Sequence, residues 1–229
     1  MICAARRSRL NLWLILIALG LLGGIFASLE GAEGMPTTAS KTVIILGDSL
    51  AAGFGVDPAD AFPAQLQTKI TTAKLPFTVV NAGVSGDTTA GGVRRLDWLL
   101  RRPVDVLILE LGGNDGLRGL PIEATRSNLV SIITRTREKN PEVRVVVAGM
   151  QMPPNMGEDY ATKFRAVFPE VAREQKATLI PFLLEGVGGV PSLNQPDQIH
   201  PTAEGHAMVA SNVWMVLEPV LRERMTSPR

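Results

Sequence analysis

Cysteine and histidine are nearly absent from this chain. Its 229 residues contain one cysteine, Cys3, and two histidines, His200 and His206. A lone cysteine excludes an intrachain disulfide, and these side chains are too few for a structural zinc site. An excess of charge is lacking too. The 23 basic and 22 acidic residues leave a net charge of +1, which offers nothing to draw a nucleic acid. Two sequence signatures are also missing. The stretch 47–55 follows an apolar run but has neither Gly-x-Gly-x-x-Gly nor a Walker lysine, which argues against a phosphate cradle there. The Gly-x-Ser-x-Gly elbow of α/β-hydrolases fails because Ala51 occupies its last position. What is present is ordinary for a globular chain. Hydrophobic residues make up 45% and charged residues 20%, so wholesale disorder is not expected.

The N-terminus reads as a targeting segment. Arg6, Arg7 and Arg9 precede the uncharged apolar stretch 10–29, which Glu30 ends. Such an order is that of a secretory signal. Small residues Ala27, Ser28, Gly31 and Ala32 offer cleavage points, although no A-x-A pattern stands out. The stretch is also long enough to span a bilayer, so an uncleaved anchor is the alternative. Residues 1–34 are read as signal peptide or membrane anchor, 35–40 as linker and 41–229 as one domain. Without residues 1–34, acidic and basic residues balance and no cysteine remains.

From residue 41 onward, apolar runs alternate with helical patterns. Strands are predicted at 42–46, 77–81, 104–111, 143–148 and 178–181. Helices are predicted at about 60–74, 88–101, 121–139, 158–175 and 202–224. In the first helix Phe62, Leu66 and Ile70 share a face. In the last, Ala203, Ala207, Ala210, Trp214, Leu217 and Leu221 form a stripe. Strand–helix alternation with β-branched strands implies an α/β fold with a five-stranded parallel sheet covered on both faces, flavodoxin-like and three-layered. There is no repeat and no second domain. Two irregular stretches, 150–157 and 183–198, follow predicted strands and should lie on the edge where ligands bind.

That same edge carries the reactive residue types. Ser49 in Gly47-Asp48-Ser49-Leu50 follows the first strand. A serine hydroxyl attacks well only when a base takes its proton and a third group orients that base. His200 follows Asp197 by three positions, so a carboxylate on a turn can reach its Nδ1–H. His206, inside the last helix, is expected to be structural or on the surface. Acyl transfer creates an oxyanion that needs positioned donors. Gly86 can present a backbone N–H, the Asn114 amide is a second donor and the Ser49 N–H a third. Each peptide also has an ordinary reading: Ser49 as a helix cap, Asp197 as a turn cap, and 81–88 and 112–116 as tight turns with Asp87 or Thr88 capping the next helix. Met150, Met152 and Met156 can be core filler or the lining of an adaptable acyl pocket.

Taken in order, Gly47-Asp48-Ser49-Leu50, Gly86, Gly112-Gly113-Asn114-Asp115 and Asp197-x-x-His200 resemble the four blocks of the SGNH (GDSL) hydrolases. The stretches 111–120, 150–157 and 181–184 resemble the bacterial arylesterase, thioesterase I and lysophospholipase branch. The resemblance covers 41–222. It implies Ser49 as nucleophile, His200 as base and Asp197 as its orienter, with Ser49, Gly86 and Asn114 forming the oxyanion hole. It implies no cofactor and no metal, gives Asp115 a structural role, and makes Asp48 a fixed part of the motif rather than a proton carrier. The expected protein is an exported, periplasmic or secreted serine esterase or thioesterase, a monomer acting on small acyl-ester or lipid substrates. Membrane association would run only through the N-terminal segment. The alternatives are a carbohydrate O-acetyl esterase of the same family and a non-catalytic flavodoxin-like binding module.

Overall fold

The computed structural model describes residues 40–226. The expected signal peptide or membrane anchor at 1–34 and nearly all of the expected linker, up to residue 39, lie outside the described residues. Five parallel strands form one sheet: β1 (Lys41–Gly47), β2 (Phe77–Gly83), β3 (Val106–Glu110), β4 (Arg144–Ala148) and β5 (Thr178–Ile180). Their order across the sheet is β2-β1-β3-β4-β5. The central strands are the most apolar because both of their faces are covered: every residue of β3 is buried, as are the last five of β1. The edge strand β2 has exposed positions, Thr78, Val80 and Asn81, that a central strand could not tolerate.

Helices α2 (Phe62–Thr72) and α7 (Ala203–Thr226) pack together on one face. Helices α3 (Thr89–Leu99), α5 (Ile122–Lys139) and α6 (Glu158–Glu174) pack on the other. This division follows from right-handed crossovers: the chain steps outward from β1 to β2, then reverses and runs through β3, β4 and β5. The reversal lies between β1 and β3, whose following loops diverge and open a crevice at the carboxyl edge of the sheet. Two short helices, α1 (Ser49–Ala52) and α4 (Gly113–Leu117), start from those two strands.

The predicted stripe of α7 needs correction. Ala203 and Ala207 are exposed. The buried face instead runs through His206, Val209, Ala210, Val213, Leu217, Val220, Leu221 and Arg224. The rotation arises because two polar residues, His206 and Arg224, belong to the inward face. Arg224 pairs with the buried Asp105 at 3.1 Å, tying the end of α7 to the start of β3. Thr202 caps this helix: its Oγ1 accepts the N–H of Gly205 at 3.2 Å. Phe62, Leu66 and Ile70 are buried on α2 as the spacing predicts.

Candidate active site

Ser49 is the first residue of α1, directly beyond β1. Its Oγ lies 2.9 Å from Nε2 of His200, a residue 151 positions later. Nδ1 of His200 lies 2.7 Å from Oδ2 of Asp197. A carboxylate can only accept, so Nδ1 carries the ring proton and Nε2 keeps its lone pair toward the serine hydroxyl. The chain of contacts can therefore take a proton from Ser49 and hold the resulting imidazolium against a negative charge.

The turn that carries the histidine is held from several sides. Asp197 Oδ1 accepts the N–H groups of Ile199 at 2.9 Å and His200 at 3.0 Å, so the carboxylate shapes the turn and orients the ring at once. Gln198 adopts a left-handed φ of +60° to close it. The N–H of Gln195 donates to the carbonyl of His200 at 2.7 Å, and Asn194 bridges Pro201. The Gln195 side chain donates to the carbonyl of Phe54 at 2.7 Å, linking the histidine turn to the loop after α1. The Phe54 ring then lies against the imidazole, with centroids 4.6 Å apart. Burial works to raise the Asp197 carboxyl, but the His200 N–H, the His200 ring and the Ile199 N–H outweigh it and hold it at about 2. It stays ionised until the pH is strongly acidic.

The candidate oxyanion donors stand at the ends of β2 and β3. Asn114 is the second residue of α4, and its Nδ2 donates one proton to Asp48 Oδ2 at 3.0 Å. Gly86 has a φ of +78°, a conformation glycine adopts without steric cost, and its N–H has no acceptor among the described residues. Its carbonyl accepts from Nη2 of Arg118 at 2.9 Å, fastening the loop after β2 to the end of α4. The Ser49 N–H opens α1 and has no partner within that helix.

Beneath the serine lie two buried carboxyls. Asp48 caps α1, its Oδ1 accepting the N–H of Leu50 at 3.0 Å. Glu110, at the end of β3, is fully buried. Its Oε2 accepts the N–H groups of Asp48 and Ala51, each at 3.2 Å, while Oε1 has no partner among the described residues. A Cβ on Gly47 would approach Glu110 Oε2 to 2.2 Å, so only glycine admits this carboxyl under the turn. Burial pushes Asp48 up to about 6, against the opposing pull of the Leu50 N–H, Asn114 and His200. Burial and then the neighbouring Asp48 charge push Glu110 well above the usual carboxylate range.

The remaining candidates sort cleanly. Asp115 accepts from the Thr89 N–H at 2.9 Å and the Thr89 hydroxyl at 2.5 Å, which ties α4 to the start of α3. Thr88 caps α3, accepting the N–H of Gly91 at 3.2 Å, while Asp87 pairs with Arg95 at 2.7 Å. Met150 is core, and the sulfur of Met152 packs against Gly116; Met156 is half-buried in a short 3₁₀ turn. His206 is buried, and its Nδ1 accepts the N–H of Phe62 at 3.3 Å. Among the described residues there is no group of three or more His, Cys, Asp or Glu that could hold a metal ion.

Sequence reasoning missed Glu110, Arg118 and Phe54. Glu110 left a signal: one acid at the end of an otherwise apolar central strand must be buried and partnered. Arg118 and Phe54 left none, because their roles depend on loops from other elements.

The sequence model described as "GDSL-like Lipase/Acylhydrolase family" matches residues 45–208. The chain is 41% identical over 184 residues to esterase TesA of Pseudomonas aeruginosa, spanning 80% of this chain and 90% of that protein. It is 36% identical over 176 residues to an arylesterase of Vibrio mimicus, covering 76% and 87%. It is 37% identical over 185 residues to the thioesterase 1/protease 1/lysophospholipase L1 of Escherichia coli, covering 80% and 86%. The crystal structure of TesA superposes with a TM-score of 0.76 at 40% identity, covering 79% of this chain and 99% of that one. The psychrotrophic esterase EstA from Pseudoalteromonas sp., in a structure inhibited by monoethylphosphonate, gives 0.75 at 28% identity, covering 80% and 100%.

Proposed function

The chain belongs to the GDSL-like lipase/acylhydrolase family, a family of ester hydrolases, and on that premise we propose that it is an exported serine esterase or thioesterase working through an acyl-enzyme on Ser49. The observation that carries the reading is the unbroken contact from Ser49 Oγ through His200 to Asp197, at 2.9 and 2.7 Å. His200 Nε2 takes the hydroxyl proton as Ser49 Oγ attacks the acyl carbonyl. The tetrahedral oxyanion accepts from the N–H groups of Ser49 and Gly86 and from the second amide proton of Asn114. His200 then gives its proton to the departing alcohol, phenol or thiol, leaving an ester on Ser49. Water enters, again through His200, and releases the acid.

Substrates are small acyl esters: aryl esters, acyl thioesters and lysophospholipids. Relatives named as arylesterase and as thioesterase and lysophospholipase support that range. The half-exposed Phe54 and Ile199 beside His200 offer apolar surface for an acyl or aryl group. The reading places the enzyme outside the cytoplasm because of the basic, then apolar, segment 1–34, and takes it to act as a monomer.

Ser49→Ala tests the assignment. The variant should fold, lose nitrophenyl-ester hydrolysis and lose covalent labelling by a fluorophosphonate. Labelling that persists on another serine would overturn it. A panel of nitrophenyl esters, acyl-CoAs and lysophospholipids then ranks the substrate classes.

A further inference from the structure

Asp48 and Glu110 are a buried acid pair that the acyl-transfer steps do not use. Asp48 is in contact with the candidate oxyanion donor: its Oδ2 takes one amide proton of Asn114 at 3.0 Å. Its other oxygen is engaged by the Leu50 N–H at 3.0 Å. Both oxygens of Asp48 thus meet donors, which is the environment of a carboxylate. Glu110 meets donors on one oxygen only, and its Oε1 is unpartnered. Two adjacent carboxyls that have no ion-pair partner among the described residues cannot both stay ionised in an apolar interior. The proton therefore belongs on Glu110.

We propose that this pair is a positioning device for the oxyanion hole: Glu110, as the neutral acid, keeps Asp48 a carboxylate, and Asp48 dictates which end of the Asn114 amide faces the substrate. The inference rests on the acyl-enzyme reading above. An asparagine side chain presents a carbonyl at one end and an NH₂ at the other, and nearly isosteric rotation exchanges them. Only the NH₂ end can face a carboxylate, so an ionised Asp48 locks the amide in one sense. The remaining proton of that NH₂ group is then committed to the developing oxyanion. A protonated Asp48 could donate to the amide carbonyl instead, and the amide would be free to invert. An inverted amide would turn a lone pair toward the oxyanion and oppose its formation.

The groups that bear on this balance are few. Glu110 faces Asp48 from β3, and His200 and Asp87 act on it through their charges. Asp87 is itself paired with Arg95, whose Nη2 donates to the Gly47 carbonyl at 2.8 Å. Burial raises Asp48 to about 6, so the lock is set at neutral pH and loosens in mild acid.

Asparagine at position 48 can still cap α1, so Asp48→Asn removes the charge while keeping the turn. It should lower kcat by about 10²-fold, the scale expected for a misplaced catalytic group, with little change in KM. In an Asn114→Ala background the same substitution should cost less than about twofold, because its effect runs through Asn114. Equal losses in both backgrounds would overturn the proposal. Glu110→Gln places a neutral amide where the neutral acid stands, and kcat near pH 8 should fall far less than in Asp48→Asn. A loss as large as that of Asp48→Asn would overturn the neutral assignment. If Asp48→Asn does not fold, the native protein supplies the readout: an infrared carbonyl band of a protonated carboxyl at about pH 8, missing in Glu110→Gln. No such band would defeat the idea. Fluorophosphonate labelling separates the two readings: if native Ser49 is unlabelled, the catalytic assignment fails. If it is labelled but the two losses multiply, only the positioning role fails.

Discussion

The two histidines stand six residues apart and live in opposite environments. His200 sits on a partly exposed turn with both ring nitrogens engaged, one by Asp197 and one by Ser49. His206 is buried in α7, with Nδ1 on the Phe62 N–H and Nε2 unpartnered among the described residues. Burial, and then the charge of His200, hold His206 down to about 4, so it is a neutral packing element at any ordinary pH. A ring useful as a base needs an acceptor to fix one nitrogen and an open path for the other. A ring useful as a staple between α2 and α7 needs only to fit and accept once. Chemistry is assigned by the partners, not by the residue type.

The sharpest way to break this contrast is to remove each ring under one assay. His200→Ala should lower kcat by a factor on the order of 10⁶, the loss seen when a triad base is deleted. His206→Ala should leave turnover of the folded protein intact. Collapse of turnover only in the His206 variant would reverse the assignment of the base.

A smaller effect sharpens the role of the partner. Asp197→Asn keeps the shape of the turn but cannot hold the Nδ1 proton against a charge, and it favours the wrong tautomer. A fall in kcat of about 10⁴ is expected, with measurable activity left. Activity near native would mean that the turn, rather than the charge, is what Asp197 supplies.

The smallest effects are on stability. His206→Ala leaves the Phe62 N–H unpaired in the core, which costs about 1–3 kcal/mol and should appear as a lower Tm. The pH dependence has a definite sign. An unfolded chain protonates His206 near 6.5 and the folded protein only near 4, so between these values the unfolded state binds more protons. Stability contributed by the neutral ring is therefore full above about 6.5 and is lost as pH falls toward 4. Asp48 acts oppositely, since its folded value of about 6 lies above its ordinary 3.8. Comparing native and His206→Gln at each pH cancels that second contribution, and the native Tm should fall more steeply. Parallel curves would show that His206 does not titrate in this window.

Much of this was legible beforehand, for physical reasons that differ by element. The five strands read clearly because buried parallel strands are uninterrupted apolar runs, and β1 extends the predicted 42–46 by one residue at each end. The contact among Ser49, His200 and Asp197 was legible because two short peptides carry the scarce residue types. Helices α1 and α4 were not foreseen: four and five residues cannot display a 3.6-residue period. The face of α7 was misplaced because a buried histidine and a buried arginine count as polar in any pattern, although both find partners in the fold. The pairings that Glu110 and Asp48 make beneath Ser49 could not be read in advance because each joins residues 59 or more positions apart.

The separation of Ser49 from His200 by 151 positions has a temporal consequence. Ser49 lies near the start of the sheet, and His200 arrives only with the turn that precedes the last helix. Closing so long a stretch of chain is entropically slow, and contacts of this kind form late. A nascent chain that has completed β1 to β4 already carries Ser49 but does not yet hold His200. Under the mechanism proposed above, every incomplete form of the molecule is inactive, and the appearance of turnover in a refolding experiment is a clock for the docking of the carboxyl-terminal segment.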